Sequence, residues 1–439
     1  MKASISQKKS PRFFAALCIF GLVGQIAWVI ENMYLNVFIY EMFGASAEDI
    51  SRMVAASAIA ATLTTVVMGA LSDKLGRRRL FIAGGYILWG ISIIGFAFVR
   101  TDAVSALFPA AFSVSAICVT LVILLDCVMT FFGSTANDAA FNAWLTDATM
   151  DGGRGAAEGL NSMMPLLSIL AVFGGFMSFD LGRAESWTAI FLIVGIAVLL
   201  IGILGFFLIE ETATPRPENA AYFKNIIYGF RPSVMRCHPM LYLTLVGFAV
   251  FGISIQIFMP YLILYYSKTL AMDNYVFVMA PAILLASVVT ALYGRLYDKW
   301  GFRYTLVPSL SMLVVGYLLL FFFTHTALVF IGSLLMMSGY LTGAAVFGAM
   351  LRDRTPVGKA GMFQGLRIVG QVLIPGVVGP MIGAFVLRNA DTVVNDDGTL
   401  SFLPNASIFL AALVAVLVLV VFLVPFFYLL KREERKNRD

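Results

Sequence analysis

Twelve apolar runs of membrane-spanning length, separated by short charged clusters, constrain this chain more than any other feature. They lie near residues 13–39, 51–71, 80–99, 117–146, 157–179, 187–209, 240–266, 274–296, 304–323, 327–351, 361–387 and 403–430. A hydrocarbon core about 30 Å thick takes roughly 20 apolar residues as a helix. Of the 439 residues 60% are hydrophobic and only 13% charged, where a soluble domain carries about 25% charge. Backbone groups in lipid must be satisfied within the segment or in a closed barrel. The every-second-residue polar alternation of barrel strands is missing here, so the runs read as an all-α membrane protein with 12 transmembrane helices.

Basic residues set the expected orientation. With both termini in the cytoplasm, 24 of the 30 Lys and Arg residues fall on the cytoplasmic side. Arg52, Arg100, Arg183, Lys268 and Arg388 fall opposite, and Arg367 lies inside a run. This is the positive-inside asymmetry, which explains the net charge of +5 without nucleic acid. No basic stripe with interleaved aromatics is present. The first run is too long for a signal-peptide core and lacks a small-residue cleavage site. The four cysteines, Cys18, Cys118, Cys127 and Cys237, have no metal or disulfide spacing.

The chain repeats itself. Gly69-Ala-Leu-Ser-Asp73-Lys-Leu-Gly76-Arg77-Arg78 returns as Gly294-Arg-Leu-Tyr-Asp298-Lys-Trp-Gly301-Phe-Arg303, 225 residues later. Asp147, Thr149, Gly152, Gly155 and Gly159 return as Asp353, Thr355, Gly358, Gly361 and Gly365, 206 residues later. Same-direction repeats spanning an even number of runs imply two halves related by an axis along the membrane normal. The expected division is a bundle at 1–209, a cytoplasmic linker at 210–239 and a second bundle at 240–439. The smaller second offset places extra residues before run four, near 101–117, as an amphipathic or re-entrant segment.

The segment from Gly69 to Arg78 resembles the signature of the major facilitator superfamily between helices two and three, and its echo sits where that family has a weaker copy. The resemblance spans the whole chain. It implies the major facilitator fold, two pseudo-symmetric six-helix bundles, and a latch between the halves. Gly69, Asp73, Arg77, Arg78, Gly294, Asp298 and Arg303 are then conformational-switch candidates, joined by Asp147 and Arg154 in an acidic-x6-Arg element similar to that of sugar-transporting members. The stretch Asn137-Asp138-Ala-Ala-Phe-Asn142-Ala-Trp144-Leu-Thr-Asp147 is similar to the glycoside–pentoside–hexuronide cation symporters, the melibiose permease group. Sodium-coupled members of that group carry acids inside helix two. Ala60–Met68 holds none, so no sodium site like theirs is expected.

Ionisable residues inside a span mark a path or relay by default. Glu31, Asp126, Asp138 and Arg367 qualify. Ser134, Asp138 and Asn142 share one helical face. Arg367 corresponds through the repeat to Asn161, with Gln371 on its own face, and is expected to approach Asp138. Gln25, Asn32 and Asn36 line one face of the first run beside Trp28. Gln256, Tyr261, Tyr265, Tyr340 and Thr342 add polar groups in the second half. Amides and aromatic faces suit a polyhydroxylated ligand. Glu31 and Asp138 are the candidate proton carriers, whereas Asp126 is expected to be an interfacial partner.

The expected function is secondary transport of a small hydrophilic solute, a sugar or glycoside, by alternating access. The expected coupling ion is a proton, with sodium as the alternative, and no cofactor is expected. An exporter of amphipathic compounds and a non-transporting membrane sensor are the competing readings. No nucleophile–base pair, metal cluster or cofactor loop suggests an enzyme. The partners expected are the solute and membrane lipid, around a monomeric multi-pass protein. Asn395–Gly398 reads as a turn, and residues 221–230 as an interfacial helix.

Overall fold

The computed structural model describes the chain except for residues 1–9, 110–112, 150–153, 212–227, 273, 356–359, 395–399 and 437–439. It is a succession of long helices: α1 (Pro11–Phe43), α2 (Ala47–Leu75), α3 (Arg78–Phe96), α4 (Val114–Ala148), α5 (Arg154–Phe176), α6 (Ala184–Leu208) and α7 (Pro239–Thr269). Then α8 and α9 form one run, Val276–Phe322, divided at Gly301, followed by α10 (Thr326–Arg354), α11 (360–387) and α12 (Ser407–Lys436). Eleven described segments are long and apolar enough to cross a membrane, and α5 contributes the shorter apolar stretch Met163–Phe176.

Local chemistry sets the helix ends. Ser10 caps α1 by accepting from the Phe13 amide at 3.1 Å, with Pro11 in the first turn where no amide hydrogen is needed. Gly44 ends α1 in the left-handed region at φ 60°. Ser46 and Asp49 open α2 with reciprocal side-chain-to-amide bonds of 3.0 and 3.2 Å. Gly76 turns α2 into α3 at φ 62°, and Gly301 turns α8 into α9 at φ 76°. The two glycines that match across the repeat therefore share a positive φ, which a side-chain-bearing residue rarely adopts.

The chain separates into two compact units, Met1–Ala45 with Ile59–Phe223, and Ser46–Ala58 with Lys224–Asp439. Within the first, α3 and α6 approach so closely that a Cβ at Gly90 would lie 2.5 Å from the Leu199 amide nitrogen. Within the second, a Cβ at Gly316 would lie 2.5 Å from that of Met336, bringing α9 against α10. Small residues permit such backbone contact, which drives helix association where lipid is as apolar as the side chains.

A short helix, Thr101–Leu107, occupies the segment where extra residues were expected. The all-helical expectation has one local exception. Strands β1 (Thr392–Val394) and β2 (Leu400–Phe402) pair antiparallel, with Thr392 opposite Phe402. The Asn395–Gly398 turn between them lies outside the described residues, as does 221–227 of the expected interfacial helix. Tyr228–Phe230 is a single turn, followed by an unexpected short helix, Pro232–Cys237.

Candidate functional site

In the first unit α4 loosens into a π-helical turn at Ser134–Phe141, a stretch that carries Ser134, Thr135, Asn137 and Asp138. An extra residue per turn re-aims side chains, and such turns recur at functional sites. Here it presents neighbours Asn137 and Asp138 to two different sets of partners. Asn137 Nδ2 donates to the Tyr86 hydroxyl of α3 at 2.8 Å, and that hydroxyl donates to the Phe20 carbonyl of α1 at 2.7 Å. Gly24 of α1 makes the room, since a Cβ there would overlap both Asn137 and Tyr86. Asp138 accepts from Ser134 Oγ at 3.0 Å and is only part-buried by its unit. Asn142 is exposed and donates to its own helix, at the Asp138 carbonyl. Asn161 of α5 lies against Gly21 of α1, 3.3 Å from where a Cβ would stand.

Further along α1 a second π-helical turn, Ile30–Tyr34, holds Glu31. Thr130 of α4 donates to Glu31 Oε1 at 3.0 Å. Asp126, one turn from Thr130, is 2% exposed. Its Oδ1 has no hydrogen-bond partner among the described residues. Trp28 packs on Trp89 with ring centroids 5.0 Å apart, both over Gly133, and neither indole N–H has a described acceptor. Gln25 is half-buried and Asn32 exposed. Asn32 donates to the Trp28 carbonyl, and fully buried Asn36 to that of Asn32, so both amides are partly spent on their own helix.

The second unit distributes its expected residues differently. Gln256 is packed between α7 and α11, against Gly379. Tyr261, expected to contact solute, is fully buried, and its hydroxyl donates toward the Ala47 and Pro380 carbonyls at 3.0 and 3.3 Å. Tyr340 is half-buried, as are Arg367 and Gln371. Gln371 sits in a third π-helical turn, Val369–Leu373, and a fourth occurs in α7 at Tyr265–Thr269. Arg367 Nε is buried without a described hydrogen-bond partner, and the charge acting on it within its unit is Arg352.

The repeated motif builds a polar network at the basic end of the first unit. Arg78, its side chain 6% exposed, reaches Asp147 Oδ2 at 3.2 Å and also donates to the Ser72 hydroxyl. Glu211, just past α6, accepts from the amides of Arg78 and Arg79 at 2.7 and 3.1 Å and so caps α3. Glu210 pairs with Arg12 at 3.2 Å, and its carbonyl accepts from Trp144. Arg77 is exposed, Gly69 lies near Ala139, and the side chains of Asp73 and Arg154 lie outside the described residues. The second unit uses other contacts. Tyr297, in the place of Ser72, donates to Asp353 at 2.6 Å. Arg303 lies over the Phe427 ring at 5.6 Å, Arg354 pairs with Glu433, and Asp298 is exposed beyond Gly294. Ser72, Tyr86, Asn137, Glu211 and Tyr297 were not singled out from sequence. The Asn137 neighbourhood had a signal in the juxtaposed amide and acid, but Glu211 had none.

Among the described residues no group of three or more His, Cys, Asp or Glu side chains is placed to hold a metal ion. The sequence profile described as Major Facilitator Superfamily matches residues 13–346 and 282–439. No curated protein sequence gives a significant match. Solved structures do. A bacterial homolog of the human lysosomal transporter Spinster, in an inward-facing conformation, is 16% identical with a TM-score of 0.66, over 97% of this chain and 98% of that one. A D-xylose–proton symporter is 15% identical with a TM-score of 0.70, over 94% and 96%. A nucleoside transporter is 12% identical with a TM-score of 0.65, over 95% and 98%. At these identities the likeness concerns the fold.

Proposed function

The chain belongs to the Major Facilitator Superfamily, and from that premise we propose that it is a proton-coupled symporter of a small polyhydroxylated solute, a sugar or glycoside. It is a multi-pass membrane transporter and not an enzyme. The observation that carries the finer reading is the polar column through the first unit: Ser134 to Asp138, and Asn137 to Tyr86 to the Phe20 carbonyl. Apolar cargo gives no reason to keep an acid, an amide and two hydroxyls in a span, where each costs free energy unless partnered. Similarity of fold to a xylose–proton symporter and a nucleoside transporter supports the same class. The Asn137–Asp147 segment supports placement near the glycoside–pentoside–hexuronide group, and the lack of acids in Ala60–Met68 favours a proton over sodium.

In this reading the two bundles, 1–209 and 240–439, alternate access to the solute as a monomer with both termini cytoplasmic. Gln25, Trp28, Asn32, Asn142, Asn161, Gln256, Tyr340, Arg367 and Gln371 remain candidate solute contacts, and the repeated motif with Asp147 remains the candidate switch. The test is uptake of labelled pentoses, hexoses and nucleosides into proteoliposomes under an imposed proton gradient, a sodium gradient, or neither. Accumulation of one sugar or nucleoside driven by protons is the expected result. Uptake restricted to amphipathic dyes, or driven by sodium alone, rejects the reading.

A further inference from the structure

We propose that Glu31 and Asp126 form an acid pair that holds one proton between them, and that this pair, not Asp138, is the proton-binding site of the first unit. The assignment rests on the proton-coupled reading for its purpose. Its chemistry rests on the following geometry.

The π-helical turn at Ile30–Tyr34 rotates Glu31 out of the register of the preceding α1 residues and toward α4. There Thr130 donates to its Oε1 at 3.0 Å, in a site where Glu31 is 7% exposed. Asp126 stands one turn before Thr130 on the same helix, so it shares the face of α4 from which Thr130 reaches Glu31. Asp126 takes part in no described ion pair, and its Oδ1 is buried without a hydrogen-bond partner. A buried oxygen of this kind requires an occupant. The groups on the packed elements narrow the choice. On α4 itself the adjacent titratable side chain is Cys127. On α3, Tyr86 turns to Asn137, and Trp89 offers only an indole N–H. The short helix at 101–107 carries Asp102, which Arg100 already pairs at 3.2 Å. On α1 the neighbours beyond Glu31 are Tyr34, Tyr40 and Glu41. No cation among the described residues is paired with Asp126, so a charge on it beside a second carboxyl is costly. A proton on one carboxyl, shared toward the other, gives Asp126 its missing hydrogen bond and removes the like-charge repulsion. Asp138 differs in that Ser134 donates to its Oδ2 at 3.0 Å and neither Glu31 nor Asp126 is among its hydrogen-bond partners.

The pair predicts a single titrating unit rather than two independent acids. The experiment is infrared spectroscopy of the purified full chain in lipid nanodiscs, following the protonated-carboxyl band as pH is varied. One band is expected, and Glu31→Gln and Asp126→Asn should each shift the pH at which it disappears by about one unit or more. The double variant should abolish it, and Asp138→Asn should leave it in place. Thr130→Val should move the band frequency while preserving its amplitude, because only the hydroxyl at Glu31 is lost. Asp126→Glu keeps an acid if Asp126→Asn fails to fold, and should also shift the midpoint. A band indifferent to both Asp126 variants, a band lost only in Asp138→Asn, or displacement of the band by sodium at fixed pH overturns the proposal. The measurement needs no transported solute. A shared proton without proton-driven uptake keeps the pair and rejects symport, whereas uptake with an unresponsive band rejects the pair alone.

Discussion

Arg78 and Asp147 meet side chain to side chain at 3.2 Å, whereas their counterparts in the repeat, Arg303 and Asp353, take other partners. One sequence motif has thus been built two ways. In the first unit a nearly buried guanidinium joins Ser72, Asp147 and the start of α3. In the second the carboxylate is met by a tyrosine hydroxyl, and the arginine is left to an aromatic face.

The asymmetry predicts unequal consequences for equivalent substitutions. Arg78→Leu leaves Asp147 without its cation and should destabilise the first unit by about 3 kcal/mol. Arg303→Leu removes an exposed cation–π contact and should cost about 0.5–1 kcal/mol. Apparent melting temperatures of the purified variants in one detergent decide between unequal and equal effects. Equal losses would mean the two halves use the motif alike.

Glu211 offers a second, separable test. Its carboxylate satisfies two amides at the start of α3, where helix N–H groups have no internal partner. Glu211→Ala should cost about 1 kcal/mol, as for loss of a helix cap. Glu210→Ala should cost less, because the Trp144 bond uses the Glu210 carbonyl and only the half-exposed Arg12 pair is lost. A larger loss at Glu210 would show that the Arg12 strap, not the cap, holds the end of α6.

Much of this architecture was legible from residue order, for physical reasons particular to certain positions. Gly76 and Gly301 both take a positive φ, and a glycine with a fixed 225-residue echo carries that requirement openly. Apolar runs of membrane length announce themselves in the same way. The site was less legible because its determinants are long-range. Glu211 caps an amide 133 residues earlier in the chain, and no local pattern encodes that. Tyr86 reads as one aromatic in an apolar run until Asn137 is seen to donate to it. Asp126 and Thr130 share a face of α4, and the π-helical turn in α1 turns Glu31 toward that face, which no local pattern announces. Tyr261 is a further case, since the two carbonyls its hydroxyl meets come from distant parts of the chain.

Gly24 allows the Asn137–Tyr86 bond to be probed from the opposite helix. A methyl group there overlaps both partners, so Gly24→Ala must break or displace the bond. Gly84→Ala is the matched control, because a Cβ at Gly84 meets nothing within 4 Å. The first variant should lose most uptake and the second should retain it, with both recovered from the membrane in similar amounts. Uptake unaffected by Gly24→Ala would remove the Asn137–Tyr86 pair from the transport path.

Asp138 separates solute binding from proton binding. If it belongs to the solute path while the proton resides on Glu31 and Asp126, Asp138→Asn should weaken both uphill accumulation and solute exchange. Glu31→Gln should instead abolish accumulation and spare exchange, because exchange requires the solute site to reorient without releasing a proton. Ser134→Ala, which removes the hydrogen bond to Asp138 at 3.0 Å, should reproduce the Asp138→Asn defect in milder form. Counterflow of labelled solute in proteoliposomes reads exchange, and gradient-driven uptake reads accumulation. Asp138→Asn sparing exchange while Glu31→Gln loses it would reverse the two assignments, placing the proton on Asp138 and the solute against Glu31.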